Sequence, residues 1–296
     1  MDEFDFGITL LLSKNSRLSP EKIGREIGLS GNAVVNRITK LEKEGIIEGY
    51  RTILKPSEFG AATAVHYFEN KRKKLVSNLS TLTSLPYVYA SLSCITGDVL
   101  VITLAGSQKE ANEQANQLVE LFRELELFRT FYMEEKPSVR LSKRDLKIAN
   151  YLIKKPKASV SAAAKELSLS TRTVSRRLNR LVQKRVLRFT VNLQLSKISG
   201  YVPYYLFFET LLEAQRDTRF AGIALHGAVW SLPLTKTKYV YAICRRNFSQ
   251  VEEDLKLLES SDWIKEYMVM FPSRFFVNDK PMLSLIEQRL KRFKNT

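Results

Sequence analysis

The strongest constraint on the fold of this chain is an internal repeat with a period of 140 residues. Shifted by that distance, the first 60 residues align with residues 141–200 without a gap, and the identical pairs include Asp5 with Asp145 and Ser30 with Ser170. Similarity at the same offset continues further along the chain. The sequence therefore predicts two copies of one two-part unit, joined by a connection at 136–142.

The first part of each unit has the pattern of three short helices followed by a strand pair. Ser19 and Ser30 are suited to cap the second and third helices, because a serine hydroxyl accepts hydrogen bonds from free backbone N–H groups. The strand pair is predicted to turn at Glu48 and Gly49. Three helices and a hairpin are typical of a winged helix-turn-helix. The predicted helices are 5–14, 20–27 and 31–44, and the strand pair spans 46–54.

The second part of each unit alternates strand-like and helical segments in the order βαββαβ, which is the ferredoxin-like arrangement. Its first helix is predicted at 71–82 in one copy and at 214–223 in the other. We therefore predict an α+β fold in which two winged helix-turn-helix domains alternate with two βαββαβ ferredoxin-like domains. The predicted domains are 1–60, 61–136, 141–200 and 201–278, followed by a C-terminal basic amphipathic helix at 280–296.

Positive charge is concentrated in the second copy. The formal net charge is +16, yet residues 1–140 carry 18 basic and 18 acidic side chains. Residues 141–200 carry 15 basic and only 2 acidic side chains. An excess of this size indicates a polyanionic partner, and its position predicts contact through the second winged domain.

One helix, within residues 169–187, carries much of this charge. Val174, Leu178 and Leu181 form an apolar stripe on it, and its other faces are basic or polar. A short helix of this kind fits the major groove of double-stranded DNA, although a solvated basic surface helix has the same pattern. The predicted DNA contacts are Arg172, Ser175, Arg176, Arg177, Asn179, Arg180, Lys184 and Arg188 in the second copy, and Asn32, Asn36, Arg37 and Lys40 in the first.

The two predicted recognition helices differ in chemistry. The first has asparagines where the second has arginines. Glu42, Glu44 and Glu48 lie close behind these asparagines in the chain. We therefore predict that the second domain supplies most of the affinity, while the first supplies specificity, a weaker contact or a partner surface. For Arg37 and Arg177, which lie beside the apolar stripe, the competing interpretation is an internal ion pair with Glu26 or Glu166.

Two segments resemble the Lrp/AsnC family of prokaryotic transcription regulators: LSGNAVVNRITKLEKEGIIEGYRTILKPSEFG at 29–60 and ITGDVLVITLAG at 95–106. Members usually carry one such unit per chain and dimerise through the ferredoxin-like domain. The resemblance therefore implies an intrachain pseudo-dimer, in which residues 61–133 and 201–271 pack sheet to sheet. It also implies DNA binding and leaves homodimers or larger assemblies open.

The resemblance further implies an amino-acid or other small-molecule effector near the turn at Gly97 and Asp98. The second copy has Thr237 and Lys238 at the aligned positions. A hairpin turn that needs a positive φ also accounts for Gly97, so a structural role for this turn is the competing interpretation.

Three other functions remain open at the sequence level. The protein could be a sequence-tolerant architectural or nucleoid DNA-binding protein, or its first winged domain could bind a protein. Relatives of the family, sometimes fused in tandem, decarboxylate sirohaem-type tetrapyrroles, which would favour histidine and arginine just after the wing. The segments at 54–60 and 193–200 contain no histidine, and the sequence shows no nucleophile–base pair or metal-ligand spacing. We therefore predict no enzymatic activity, no cofactor and no metal.

Cys94 and Cys244 lie within apolar runs, which predicts buried thiols and fits a reducing compartment. No apolar segment approaches the roughly 20 residues needed to cross a bilayer, and the acidic start MDEFDF does not resemble a signal peptide. We expect a cytoplasmic, nucleoid-associated protein without membrane contact.

Overall fold

The computed structural model describes residues 1–71, 79–211 and 228–293. The helix predicted at 214–223 lies outside these residues, as does most of the helix predicted at 71–82; a 3-10 helix is present at Leu79–Ser84. The first copy comprises α1 (Glu3–Lys14), α2 (Pro20–Ile27), α3 (Gly31–Lys43), β1 (Ile47–Leu54), β2 (Ala62–Glu69), β3 (Val88–Cys94), β4 (Val99–Ala105), α4 (Gln108–Leu121) and β5 (Glu126–Met133). The second comprises α5 (Lys143–Lys154), α6 (Val160–Glu166), α7 (Thr171–Gln183), β6 (Leu187–Leu193), β7 (Val202–Thr210), β8 (Ala228–Pro233), β9 (Lys238–Arg245), α8 (Phe248–Glu259), β10 (Ile264–Met270), β11 (Pro272–Val277) and α9 (Lys280–Arg292).

Serine caps begin the second and third helices of both winged domains. The Ser30 hydroxyl accepts a hydrogen bond from the Ala33 N–H, and the Ser170 hydroxyl accepts one from the Thr173 N–H. The end of the second helix differs between the copies. Gly28 has φ +77° there, whereas Ser168 holds the same left-handed backbone with φ +52°.

The predicted strand pair at 46–54 is wrong. β1 is a single strand, and it pairs antiparallel with β6 of the second copy. Its register shifts between Ile47 and Gly49, where a β-bulge forms. A bulge adds one residue to a strand without reversing the chain, so Glu48 and Gly49 bend the strand instead of turning it. The wing strands of the two winged domains therefore form one shared ladder.

A pseudo-two-fold axis crosses this ladder. Arg51 pairs with Thr190, and Tyr50 pairs with Val191. In the repeat, Arg51 is equivalent to Val191 and Tyr50 is equivalent to Thr190, so each pair is the image of the other. The axis therefore passes between the two pairs. The two winged domains are therefore arranged as the halves of a symmetric dimer within one chain.

A threonine of each wing strand hydrogen-bonds to the opposite copy. The Thr52 hydroxyl donates to the Leu152 carbonyl of α5 at 2.7 Å, and the Thr190 hydroxyl donates to the Ser13 carbonyl of α1 at 2.8 Å. Each wing strand is thus fastened to the first helix of the opposite copy.

The ferredoxin-like strands form two antiparallel sheets, in the orders β3-β4-β2-β5 and β8-β9-β7-β10. The sheets pack face to face in one apolar cluster, which contains Val65, Tyr67 and Leu100 from the first sheet with Tyr205 and Val240 from the second. The expected sheet-to-sheet packing of an intrachain pseudo-dimer is therefore present.

The segment that follows β10 breaks this symmetry. β11 leaves its own copy and pairs with β3, which makes the first sheet five-stranded. The helix α9 then packs on α5, where Met282 and Ile286 are buried in the core of the second winged domain. The final helix is therefore docked on the protein, while β11 was not predicted.

Both cysteines are buried, and burial raises the pKa of each thiol to about 12. His66 is also buried, between the hydroxyls of Thr103 and Thr130, and burial lowers its pKa to about 4. Within the described ranges, no helix has the length and apolar character needed to span a membrane.

Candidate nucleic-acid interface

The exposed face of α7 carries cations that are free of internal partners. Arg172, Arg176, Asn179 and Lys184 are exposed, and Ser175 is half-buried. In the part of the chain that the structure describes, no ion pair or side-chain hydrogen bond engages the first four. The opposite face of α7 is fixed in the core through Val174, Leu178 and Leu181. Its cations are therefore presented outward from a rigid helix.

Arg177 is not part of that outward face. Its guanidinium lies 3.0 Å from Oδ1 of Asp145 and donates to the Ser142 hydroxyl at 2.8 Å. Only 19% of the side chain is exposed. The burial of Asp145 alone would raise its pKa, but hydrogen bonds from Ser142 and Arg177 outweigh this effect and hold the pKa below its usual value. Arg180 lies 3.4 Å from the same carboxylate and remains 45% exposed.

The first copy repeats this internal pair. The guanidinium of Arg37 lies 2.7 Å from both Asp5 and Asp2, and hydrogen bonds to these two carboxylates raise its pKa. An internal role for Arg37 and Arg177 is therefore present, but the predicted partners are wrong. The partner is the aspartate of the first helix, and Glu166 instead lies 3.9 Å from Lys155.

The exposed face of α3 has little free positive charge. Asn32 and Asn36 are exposed amides, and Lys40 lies 3.9 Å from Glu44. Glu42 accepts a hydrogen bond from the Tyr50 hydroxyl at 2.8 Å. This face can hydrogen-bond to bases, but it attracts phosphate less strongly than the face of α7.

Arg188, which was predicted to contact DNA, has a different location. It lies opposite Ile53 in the β1–β6 ladder, where its exposed side chain lines a cavity beneath the ladder. The sequence predicted that this strand belongs to a local hairpin. In the structure the strand pairs with β1 of the other copy, and this pairing places Arg188 beside the cavity. Arg188 is therefore left out of the proposed DNA-binding face.

The turn at Gly97 and Asp98 is fastened to its own sheet. Gly97 has φ +88°. The Asp98 carboxylate accepts from the Asn70 N–H at 2.8 Å and from the Thr96 hydroxyl at 2.6 Å. In the second copy, Lys238 instead pairs with Glu209 at 2.6 Å. Among the described residues, no cluster of three or more histidine, cysteine or acidic side chains could hold a metal ion.

Comparison with known proteins identifies both winged domains. A family model described as winged helix-turn-helix DNA-binding matches residues 1–48 and 141–188. An uncharacterized HTH-type transcriptional regulator of Pyrococcus horikoshii is 50% identical over 60 residues, which are 20% of this chain and 39% of that protein. The HTH-type transcriptional regulator LrpB of Bacillus subtilis is 38% identical over 68 residues, which are 23% of this chain and 46% of that protein. Both winged domains are therefore winged helix-turn-helix domains, and they are similar to those of HTH-type transcriptional regulators.

The match to each of these two relatives spans less than half of the relative's own length. A likeness over the whole of this chain comes from a solved structure, the siroheme decarboxylase NirDL. The two superpose with a TM-score of 0.53 at 13% sequence identity, over 99% of this chain and 100% of the other. At that identity the likeness concerns the fold alone, and it supports the tandem order of the four domains.

Proposed function

We propose that this protein is a DNA-binding transcription regulator of Lrp/AsnC type, in which the second winged domain supplies most of the affinity. One observation supports this proposal above the others. Arg172, Arg176 and Lys184 lie on the exposed side of the recognition helix with no internal partner among the described residues, and the surrounding domain carries 15 basic and 2 acidic side chains.

The chemistry of the two helices suggests a division of roles. Arginine can pair with guanine through two hydrogen bonds, and asparagine can pair with adenine in the same way. We propose that Arg172 and Arg176 read one half-site and bind phosphate, with Ser175, Asn179 and Arg180 beside them. Asn32 and Asn36 then read the other half-site with lower affinity.

A regulator fits these observations better than an enzyme does. The curated relatives are regulators, and the likeness to NirDL does not transfer its activity at 13% identity. His66, one of two histidines in the chain, is buried and uncharged at neutral pH. We also propose that Gly97 and Asp98 serve the turn itself, since both carboxylate oxygens of Asp98 already accept hydrogen bonds.

The test is a titration of the full chain against random and selected DNA duplexes at several salt concentrations. The double variant R172A/R176A should weaken binding to every duplex and lower the slope of log K against log salt by roughly 2, because each lost phosphate contact removes about 0.9. The matched control is K109Q/K256Q, which removes two exposed charges from α4 and α8 of the ferredoxin-like domains.

Two outcomes would contradict the proposal. Unchanged binding by R172A/R176A would exclude α7 as the main contact. Equal affinity for random and selected duplexes at physiological salt would favour an architectural DNA-binding protein over a sequence-specific regulator.

A further inference from the structure

A cavity of about 560 Å³ lies between the β1–β6 ladder and the two ferredoxin-like sheets. The ladder contributes Arg51, Arg188 and Thr190 to its wall, and the sheets contribute Tyr89 and Tyr205. Small-molecule sites in proteins have volumes of roughly 300–1,000 Å³ and are commonly found between domains. The cavity therefore has the size and position of a ligand site.

Arg188 is a cation without a counterion in this cavity. In the described ranges of the chain, no carboxylate lies within ion-pair distance of its guanidinium. Its side chain is exposed where it lines the cavity, and the protein atoms packed around it lower its pKa. A cation that no carboxylate neutralises attracts an anion, and the attraction is stronger beside protein than in bulk water.

The nearby carboxylates are already engaged. Asp279 lies 2.5 Å from the guanidinium of Arg51, and Glu135 lies 2.5 Å from Nζ of Lys55. Glu48 accepts a hydrogen bond from the Gln194 amide at 3.1 Å. Among the described residues that line the cavity, four are basic and two, Glu48 and Glu135, are acidic. The wall therefore has an excess of positive charge.

The rest of the wall suits a molecule with an apolar body. Phe275 and Phe276 of β11 both line the cavity, and each keeps 42% of its surface exposed. The wall thus offers aromatic contact surface to a ligand.

We propose that this central cavity binds a small aromatic anion, such as a carboxylate, whose charge pairs with Arg188. The site is separate from the proposed DNA-binding face and from the turn at Gly97. It is formed by strands of both winged domains and both sheets, so one chain makes it complete.

The experiment compares two fluorescent probes that share an aromatic body and differ in charge. The full chain, without DNA, is titrated with 8-anilinonaphthalene-1-sulfonate, which is an anion, and with N-phenyl-1-naphthylamine, which is neutral. Arg188→Gln should weaken binding of the anionic probe about tenfold or more and leave the neutral probe within about twofold. The control Lys109→Gln removes an exposed cation of α4 outside the cavity wall and should change neither affinity.

A competition measurement shows whether the site prefers a negatively charged ligand to a neutral one. 2-Naphthoate should displace the anionic probe, and methyl 2-naphthoate, which lacks the negative charge, should not. Equal affinity of R188Q and the unchanged chain for the anionic probe would overturn the proposal, as would equal competition by the acid and its ester.

A second variant covers the case in which R188Q fails to fold, as judged by circular dichroism. Arg188→Lys retains the positive charge but not the planar donor pair. It should bind the neutral probe normally and the anionic probe with intermediate affinity. If folded R188K loses affinity for both probes to the same extent, Arg188 has no specific role in binding the anion, and the proposal is overturned. None of these measurements depends on DNA binding.

Discussion

Asp145 divides the arginines of α7 into two groups. Arg177 is held by its carboxylate, whereas Arg172 and Arg176 have no partner in the described structure. Helical spacing predicted which residues lie off the apolar stripe, and this was sufficient to locate the basic face. It allowed an internal ion pair for Arg177 but named the wrong partner, because Asp145 lies 32 residues earlier and meets Arg177 only after the helices pack.

Ser168 permits a direct measurement of backbone strain at one residue. It holds a left-handed φ of +52°, a conformation that costs a residue with a Cβ about 1 kcal/mol more than glycine. Ser168→Gly should therefore raise the free energy of unfolding by about 1 kcal/mol, measured by urea denaturation.

The reverse change in the first copy is the matched control. A Cβ added at Gly28 meets no atom within 4 Å, so Gly28→Ser tests the backbone alone. It should lower the free energy of unfolding by about 1 kcal/mol. A decrease in stability for S168G would show that the serine side chain matters more than the strain.

His66 should make stability depend on pH. Its pKa is about 4 in the folded protein and 6.5 for an unperturbed histidine, so the unfolded chain binds more protons between these values. The free energy of unfolding should fall by about 3 kcal/mol as the pH drops from 6.5 to 4. Urea denaturation across this range would measure the effect, and His66→Gln should lose most of this contribution. An unchanged pH profile in H66Q would assign the dependence to other groups.

At the scale of elements, the sequence predicted segments better than it predicted their partners. Residues 46–54 were recognised as extended, but they pair with β6 of the other copy instead of with each other. Strand 272–277 was missed altogether, because its partner β3 lies in the first copy. Alternating and apolar runs identify a strand, whereas its partner depends on the arrangement of distant parts of the chain.

Helix α9 should contribute to the stability of the second winged domain. Ile286 is fully buried in the core formed with α5 and α7. Ile286→Ala should lower the free energy of unfolding by roughly 2–5 kcal/mol, since it leaves a cavity. The exposed Gln288 on the same helix provides the control, and Gln288→Ala should change stability by less than about 0.5 kcal/mol. Similar urea midpoints for both variants would show that α9 is only loosely attached.

At the scale of the whole molecule, a symmetric frame carries two unequal recognition helices. The pseudo-two-fold axis through the β1–β6 ladder relates α3 to α7. One helix presents Asn32 and Asn36, and the other presents Arg172 and Arg176 at the corresponding positions. A homodimeric regulator reads the same sequence twice, whereas the proposed function has this chain read two different half-sites.

The preferred DNA site should therefore lack a palindrome. We expect one half-site to require guanine and the other adenine, with centres about 10 base pairs or a multiple of that apart. Selection from a random duplex library would give the consensus, and R172A/R176A should relax the guanine half-site only. A palindromic consensus would contradict the assignment of separate roles to the two helices.

The exchange of strands between copies has a consequence for synthesis on the ribosome. β1 and β3 emerge well before their partners β6 and β11, and at roughly 5–20 residues per second β3 waits roughly 10–40 s for β11. Unpaired strand edges readily associate with other chains during such an interval. The half of the protein that is made first therefore completes its sheets only after the second half has been translated.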